Sequence, residues 1–95
     1  PNIVDDFEFI AGDNQVYLTW VAEMQTELLG FRVYRDSGNG MEPIGNLLES
    51  TNSDDQVYEY TDFDVENGET YLYQIDMITL DGDSFLYGEI LEATP

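Results

Sequence analysis

Apolar and polar residues alternate along most of the chain with a period of two, the spacing that turns one side of a β-strand to a core and the other to water. The longest such run is Glu69–Thr79, where Tyr71, Tyr73, Ile75 and Met77 share one face and Leu72, Gln74, Asp76 and Ile78 the other. Asn67-Gly68 precedes it and Asp81-Gly82 follows, both dipeptides that accept the positive φ of tight turns. This run is the predicted central strand, bracketed by turns. Val16–Val21 reads as a second strand with Val16, Leu18 and Trp20 inward, the indole being the largest apolar contribution in the chain and a structural anchor rather than a binding residue. Phe31–Arg35 gives a third, with Phe31 and Val33 toward the core and Arg32 and Tyr34 on the opposite face. Val57–Thr61 gives a fourth, with Tyr58 and Tyr60 inward.

Three further segments carry weaker signals. Val4–Ala11 alternates as an edge strand with Val4, Asp6, Glu8 and Ile10 on one side and Asp5, Phe7, Phe9 and Ala11 on the other. In Glu42–Leu48, Pro43 has no N–H to give a ladder, which predicts a sheet edge. Phe85–Ala93 closes the chain as a last strand, bulged or broken at Gly88. Between the strands lie the turn Gly12-Asp13-Asn14, an exposed connection over Ala22–Leu29 with room for a turn of helix, the loop Ser37–Gly40 and the polar linker Ser50–Asp55. Seven strands at short spacing, without intervening helices, predict an all-β, antiparallel seven-stranded β-sandwich.

A chain of 95 residues is a single domain, 1–95. Folding at this length buries about 60–65% of the unfolded surface, enough for one core. Cysteine is absent, so stability must come from packing, and thiolate metal sites are excluded. No run of ten apolar residues occurs, which excludes a membrane-spanning helix or a signal-peptide core, and the chain reads as a module of a longer protein.

Charge changes the picture most: 21 acidic residues stand against two arginines, with no lysine and no histidine, for a formal charge of −19. Such a surface repels nucleic-acid phosphates and anionic lipid headgroups. The acidity has four readings: a solvating face that keeps a β-rich chain soluble, adaptation to high salt, calcium binding, or an acidic mimic of nucleic acid. Both cations fall in one predicted strand, where Arg32 and Arg35 are expected to pair with carboxylates on neighbouring strands; an arginine pair that grips a ligand is the other reading.

Without His, Cys or Lys, no nucleophile–base pair can be assembled around Ser37, Ser50, Ser53 or Ser84, so serine and cysteine hydrolase chemistry is excluded. Glycoside cleavage by paired carboxylates needs one acid held in a cleft long enough for a sugar chain, for which a sandwich this small has little room. No catalytic residue is therefore assigned. Asp62–Glu69 superficially matches a calcium-binding EF-hand loop, but its glycine falls one position late, the twelfth position is Tyr73, and flanking helices are missing. No cofactor is expected, and no metal ligand is assigned. A looser calcium site is open only where the loops at Asp54-Asp55, Asp62-Asp64 or Asp81-Asp83 approach one another or a neighbouring domain.

Taken in order, Trp20, Gly30-Phe-Arg-Val-Tyr-Arg35, Tyr58-Glu-Tyr-Thr-Asp62, Val65-Glu-Asn-Gly-Glu-Thr-Tyr71 and Leu80-Asp-Gly82 resemble the fibronectin type III domain, of the kind found as modules in bacterial secreted and surface proteins. The ordered set covers nearly the whole chain. The resemblance implies an immunoglobulin-like sandwich in which Tyr71 is the corner tyrosine, bonding back to the turn before its strand. An immunoglobulin domain proper fits less well, since it would place its tryptophan on the third strand beside a cysteine pair. The chain departs from the pattern at Val65, where leucine is usual, and in its acidity. It also lacks the Arg-Gly-Asp adhesion tripeptide, so integrin binding is not implied.

These observations lead to the expectation of a non-catalytic extracellular spacer module in a multidomain secreted or cell-surface protein. Its expected partners are neighbouring domains of the same chain or copies of itself, with neither nucleic acid nor membrane insertion. Two alternatives differ in what they would use. A carbohydrate- or protein-recognition module would use aromatics outside the core, namely Tyr17, Tyr34 and Tyr87, as a stacking platform. A subunit of a self-assembling surface layer or filament would offer its edge strands.

Overall fold

The computed structural model describes residues 3–23, 27–51 and 56–95. Eight strands follow one another: β1 (Ile3–Gly12), β2 (Gln15–Glu23), β3 (Leu28–Asp36), β4 (Met41–Glu49), β5 (Gln56–Asp62), β6 (Tyr71–Thr79), β7 (Ser84–Leu86) and β8 (Leu91–Ala93). They form two antiparallel sheets, one ordered β1-β2-β5 and the other β4-β3-β6-β7, with β8 also paired to β6. None of the described residues is helical.

The count is eight rather than seven because the last predicted strand is interrupted. β7 pairs with Asp76–Ile78 and β8 with Tyr71–Tyr73, along the same edge of β6. Residues 87–90 span the gap opposite Gln74 and Ile75, so the chain must bow out there, while the Tyr87 amide still donates to the Ile75 carbonyl at 2.8 Å and the Tyr87 carbonyl accepts from Gln74 Nε2 at 2.9 Å. Gly88 lies within this excursion. The expected exposed connection over Ala22–Leu29 is also corrected. Ala22 and Leu28 are buried strand residues, so the link is shorter; its residues 24–26 lie outside the described residues, as do 52–55 of the polar linker.

In β1 the simple alternation fails for a local reason. The pairing with β2 slips between Asp5 and Glu8, where two β1 residues oppose the one residue Trp20. Asp6 takes a positive φ of 53° there. Such a bulge reverses which parity faces inward, and so Val4 and Phe7, assigned to opposite sides by sequence, are both buried.

The core is built in rows across the sheets. Trp20 is fully buried, stacks on its register partner Tyr58 with ring centres 6.0 Å apart, and meets Phe31 of the facing sheet edge-on at 5.9 Å. Phe7 completes the cluster at 6.3 Å from the indole. Val16, Leu18, Val33, Tyr73 and Ile75 fill the rest, each at most 1% exposed. The predicted inward faces of β2, β3 and β6 are those observed. β4, with Pro43, is an edge strand as its proline requires. At that edge Gly45 has φ +67°, and a β-carbon there would lie 2.6 Å from the Tyr60 hydroxyl; only glycine lets the β5 ring press this close to the β4 backbone.

Ile3, the first described residue, and Pro95 lie at opposite ends of the strands in a body of 39 × 24 × 20 Å. Ile3 pairs with Glu23 at one pole. At the other, the Pro95 carbonyl accepts from the Gly68 amide, beside the β1–β2 turn held by Asn14 and Asn67.

Candidate functional site

Arg35 behaves differently from the expected cross-strand surface cation. Continuing the inward parity of Phe31 and Val33, its guanidinium enters the space between the sheets and reaches Asp62 of the opposite sheet. Nη1 donates to both carboxylate oxygens, at 3.0 and 2.9 Å. Asp62 is only 2% exposed and so lies inside the sandwich. It also accepts from the Tyr73 hydroxyl at 2.7 Å and from the Asp64 amide at 3.1 Å. Burial, followed by the bond to Asp62, pushes the Tyr73 phenol well above its ordinary range, so it stays a donor. Arg35 further binds the Asp64 carbonyl and Ser37 Oγ, and lies 5.9 Å from the Tyr71 ring centre. Every partner here belongs to the protein, and the network clamps one sheet to the other.

Next to this clamp is the corner. The Tyr71 hydroxyl accepts from the Glu66 amide at 3.0 Å. This is the bond back to the turn that the resemblance implied, and the group it satisfies is a backbone N–H. Asn14 and Asn67 then join the β1–β2 turn to the β5–β6 turn by reciprocal side-chain-to-amide bonds of 2.8 and 3.0 Å, with Asp13 accepting from Asn67 Nδ2 at 2.8 Å. Tyr71→Phe is expected to cost about 1–3 kcal/mol, because it strands the Glu66 N–H while keeping the ring under Arg35. Urea unfolding checks this, and an unchanged midpoint would remove the corner from the account.

On the outer face of the five-stranded sheet, Arg32 sits in register with Asp76, and Asp76 in turn with Leu86. Asp76 is 4% exposed and its Oδ1 has no hydrogen-bond partner among the described residues. Burial raises its carboxyl above the ordinary aspartate range, opposed by the Tyr34 hydroxyl, Arg32 and the Phe85 amide. A carboxyl raised in the fold adds stability that is complete below the unfolded pKa and is lost as pH climbs through the folded value. Asp76→Asn should therefore melt higher than the parent at pH 7 and lose that advantage below about pH 4. Thermal melts followed by circular dichroism would show it, and a pH-independent difference would count against the assignment.

The three expected platform aromatics do not come together. Tyr34 belongs to this outer face and Tyr17 to the other sheet. Tyr87 turns inward, its ring 6.4 Å from Phe7, and closes the gap between the sheets beside β1. A smaller arrangement does form on the outer face of the three-stranded sheet. Tyr17 is flanked by its register partner Ile10 and donates its hydroxyl to Glu59 Oε2 across to β5, at 2.5 Å. Thr19 lies between its own partners Glu8 and Glu59. Phe7, Glu8, Phe9, Ile10, Tyr17, Thr19 and Leu91 line an open depression with a volume of about 400 Å³ at the free β1 edge. Sequence reasoning named Tyr17 but could not place Ile10 and Glu8 beside it, because the β1 bulge sets that parity.

Among the described residues no three acidic side chains gather as a metal site. Asp62 and Asp64 face Arg35, and Asp83 contributes its backbone to Thr79, while Asp54 and Asp55 lie outside the described residues. Among the described residues no helix is long and apolar enough to cross a membrane.

Fold and geometry together define an all-β, two-sheet sandwich with an internal ionic clamp and no assembled reactive centre among its described residues. No protein-family model matches the chain. It is 26% identical over all of its 95 residues to part of an amylopullulanase from Thermoanaerobacter thermohydrosulfuricus, of which it spans 6%. Its fold is similar to part of the pectate lyase PelI from Erwinia chrysanthemi, solved in complex with tetragalacturonic acid, with a TM-score of 0.70 at 17% identity, covering 97% of this chain and 28% of the other. In both cases the matching portion is a small part of a larger enzyme.

Proposed function

We infer that the chain is a non-catalytic, fibronectin type III-like accessory module of a larger extracellular carbohydrate-active protein, in which it spaces and presents the neighbouring domains. The observation that carries this reading is that the whole chain corresponds to only 6% of the amylopullulanase it matches. Support comes from the similarity to small portions of an amylopullulanase and a pectate lyase. The tryptophan of β2, the Tyr71 corner and the Gly-Phe-x-Val-Tyr-Arg strand support the type III assignment.

The absence of His, Cys and Lys supports a non-catalytic role, since neither a hydrolase triad nor a Schiff base can be built from this composition. Self-assembly is disfavoured by the mutual repulsion of copies each carrying −19. Residues 1–95 produced alone are expected to unfold in one cooperative transition and to release no reducing ends from pullulan or polygalacturonate. Release of sugar by the isolated chain would overturn the reading.

A further inference from the structure

The outer face of the three-stranded sheet carries groups that the core and the ionic clamp leave unused. Ile10 is 67% exposed beside the half-buried Tyr17. The Tyr17 hydroxyl donates to Glu59 Oε2 on β5. Thr19 and the carboxylates of Glu8 and Glu59 form the next row of the same face. An apolar aromatic surface edged by acceptors suits a pyranose ring, whose axial C–H groups pack on an aromatic face while its hydroxyls donate to carboxylates in strong charge-assisted bonds.

Charge narrows the class of sugar. No cation is available at this face, since Arg35 is inside the clamp and Arg32 is on the other sheet. With a formal charge of −19, the surface opposes the approach of a uronate polymer and leaves a neutral one unaffected. We propose that the Tyr17 face, with Ile10, Thr19, Glu8 and Glu59, is a binding strip for a neutral polysaccharide chain. This rests on the accessory-module reading and adds to it a ligand and a place.

The test is affinity electrophoresis of residues 1–95 in gels containing pullulan, amylopectin or polygalacturonate, followed by titration with maltohexaose while amide and tyrosine resonances are observed. Retardation by a neutral glucan is expected, unchanged by added salt, with shifts centred on Tyr17, Thr19 and Ile10. Tyr17→Ala should weaken it at least tenfold, Tyr17→Phe about threefold because the ring stays but its Glu59 tether is lost, and Tyr34→Ala not at all. Near-ultraviolet circular dichroism confirms that each variant keeps its core. No retardation by either neutral glucan, equal retardation of Tyr17→Ala, or preference for polygalacturonate would each overturn the strip. None of these results touches the accessory-module reading, which falls instead if the same samples release reducing ends.

Discussion

Trp20→Ala is expected to lower the unfolding free energy by about 3–5 kcal/mol, through lost transfer energy and the cavity left behind. The indole is fully buried and is held on three sides by Phe7, Tyr58 and Phe31, from both sheets, so no single neighbour can collapse into the void. Domains of this size have about 5–15 kcal/mol in total, and the variant should therefore be partly unfolded at modest urea concentrations. A second substitution separates size from polarity. The indole N–H has no hydrogen-bond partner among the described residues, and a buried donor left unmade is itself costly. Trp20→Phe removes that donor together with part of the ring, and should cost markedly less than Trp20→Ala. Equal losses from the two would mean that ring volume is not what Trp20 supplies.

Asp62→Ala is expected to be as damaging, at about 3–5 kcal/mol, for an electrostatic reason. Removal of one carboxylate leaves the Arg35 guanidinium with only the exposed Asp64 carboxylate, 3.6 Å away, as counter-charge, and the Tyr73 hydroxyl without an acceptor in a fully buried position. The combined variant Arg35→Met, Asp62→Leu, Tyr73→Phe removes the stranded groups as well and should recover most of the loss, since a buried ion pair exchanged for apolar side chains of similar volume is often neutral. Equilibrium urea denaturation of the two variants beside the parent decides the matter. If the triple variant is as unstable as Asp62→Ala, the network contributes shape rather than charge.

These two residues also mark how far the sequence could be read. Trp20 was legible because Val16, Leu18 and Trp20 alternate without interruption, and a periodic apolar face has one physical use. The same holds for Tyr71, Tyr73 and Ile75 on β6. Asp62 was not legible, because a carboxylate at the end of a strand reads as solvent-facing unless the cation that will meet it is known, and Arg35 lies 27 positions away in the other sheet. Asp76 was hidden for a similar reason, covered by neighbours that no pattern reveals. The β1 bulge depends on a single residue, Asp6, taking a left-handed backbone, and it decides both which side of β1 is buried and which residues flank Tyr17. Only part of the Tyr17 face was therefore visible in advance, and the rest was fixed by this backbone irregularity.

The placement of Ile3 and Pro95 at opposite ends of the strands has a mechanical consequence. Tension applied between Ile3 and Pro95 would draw β1 outward along its own axis, past β2, with β8 pulled the other way beside β6. Ladder hydrogen bonds lie across the strands, so that load shears many of them at once instead of unzipping them singly. A sandwich pulled between these two points resists stretching as a unit.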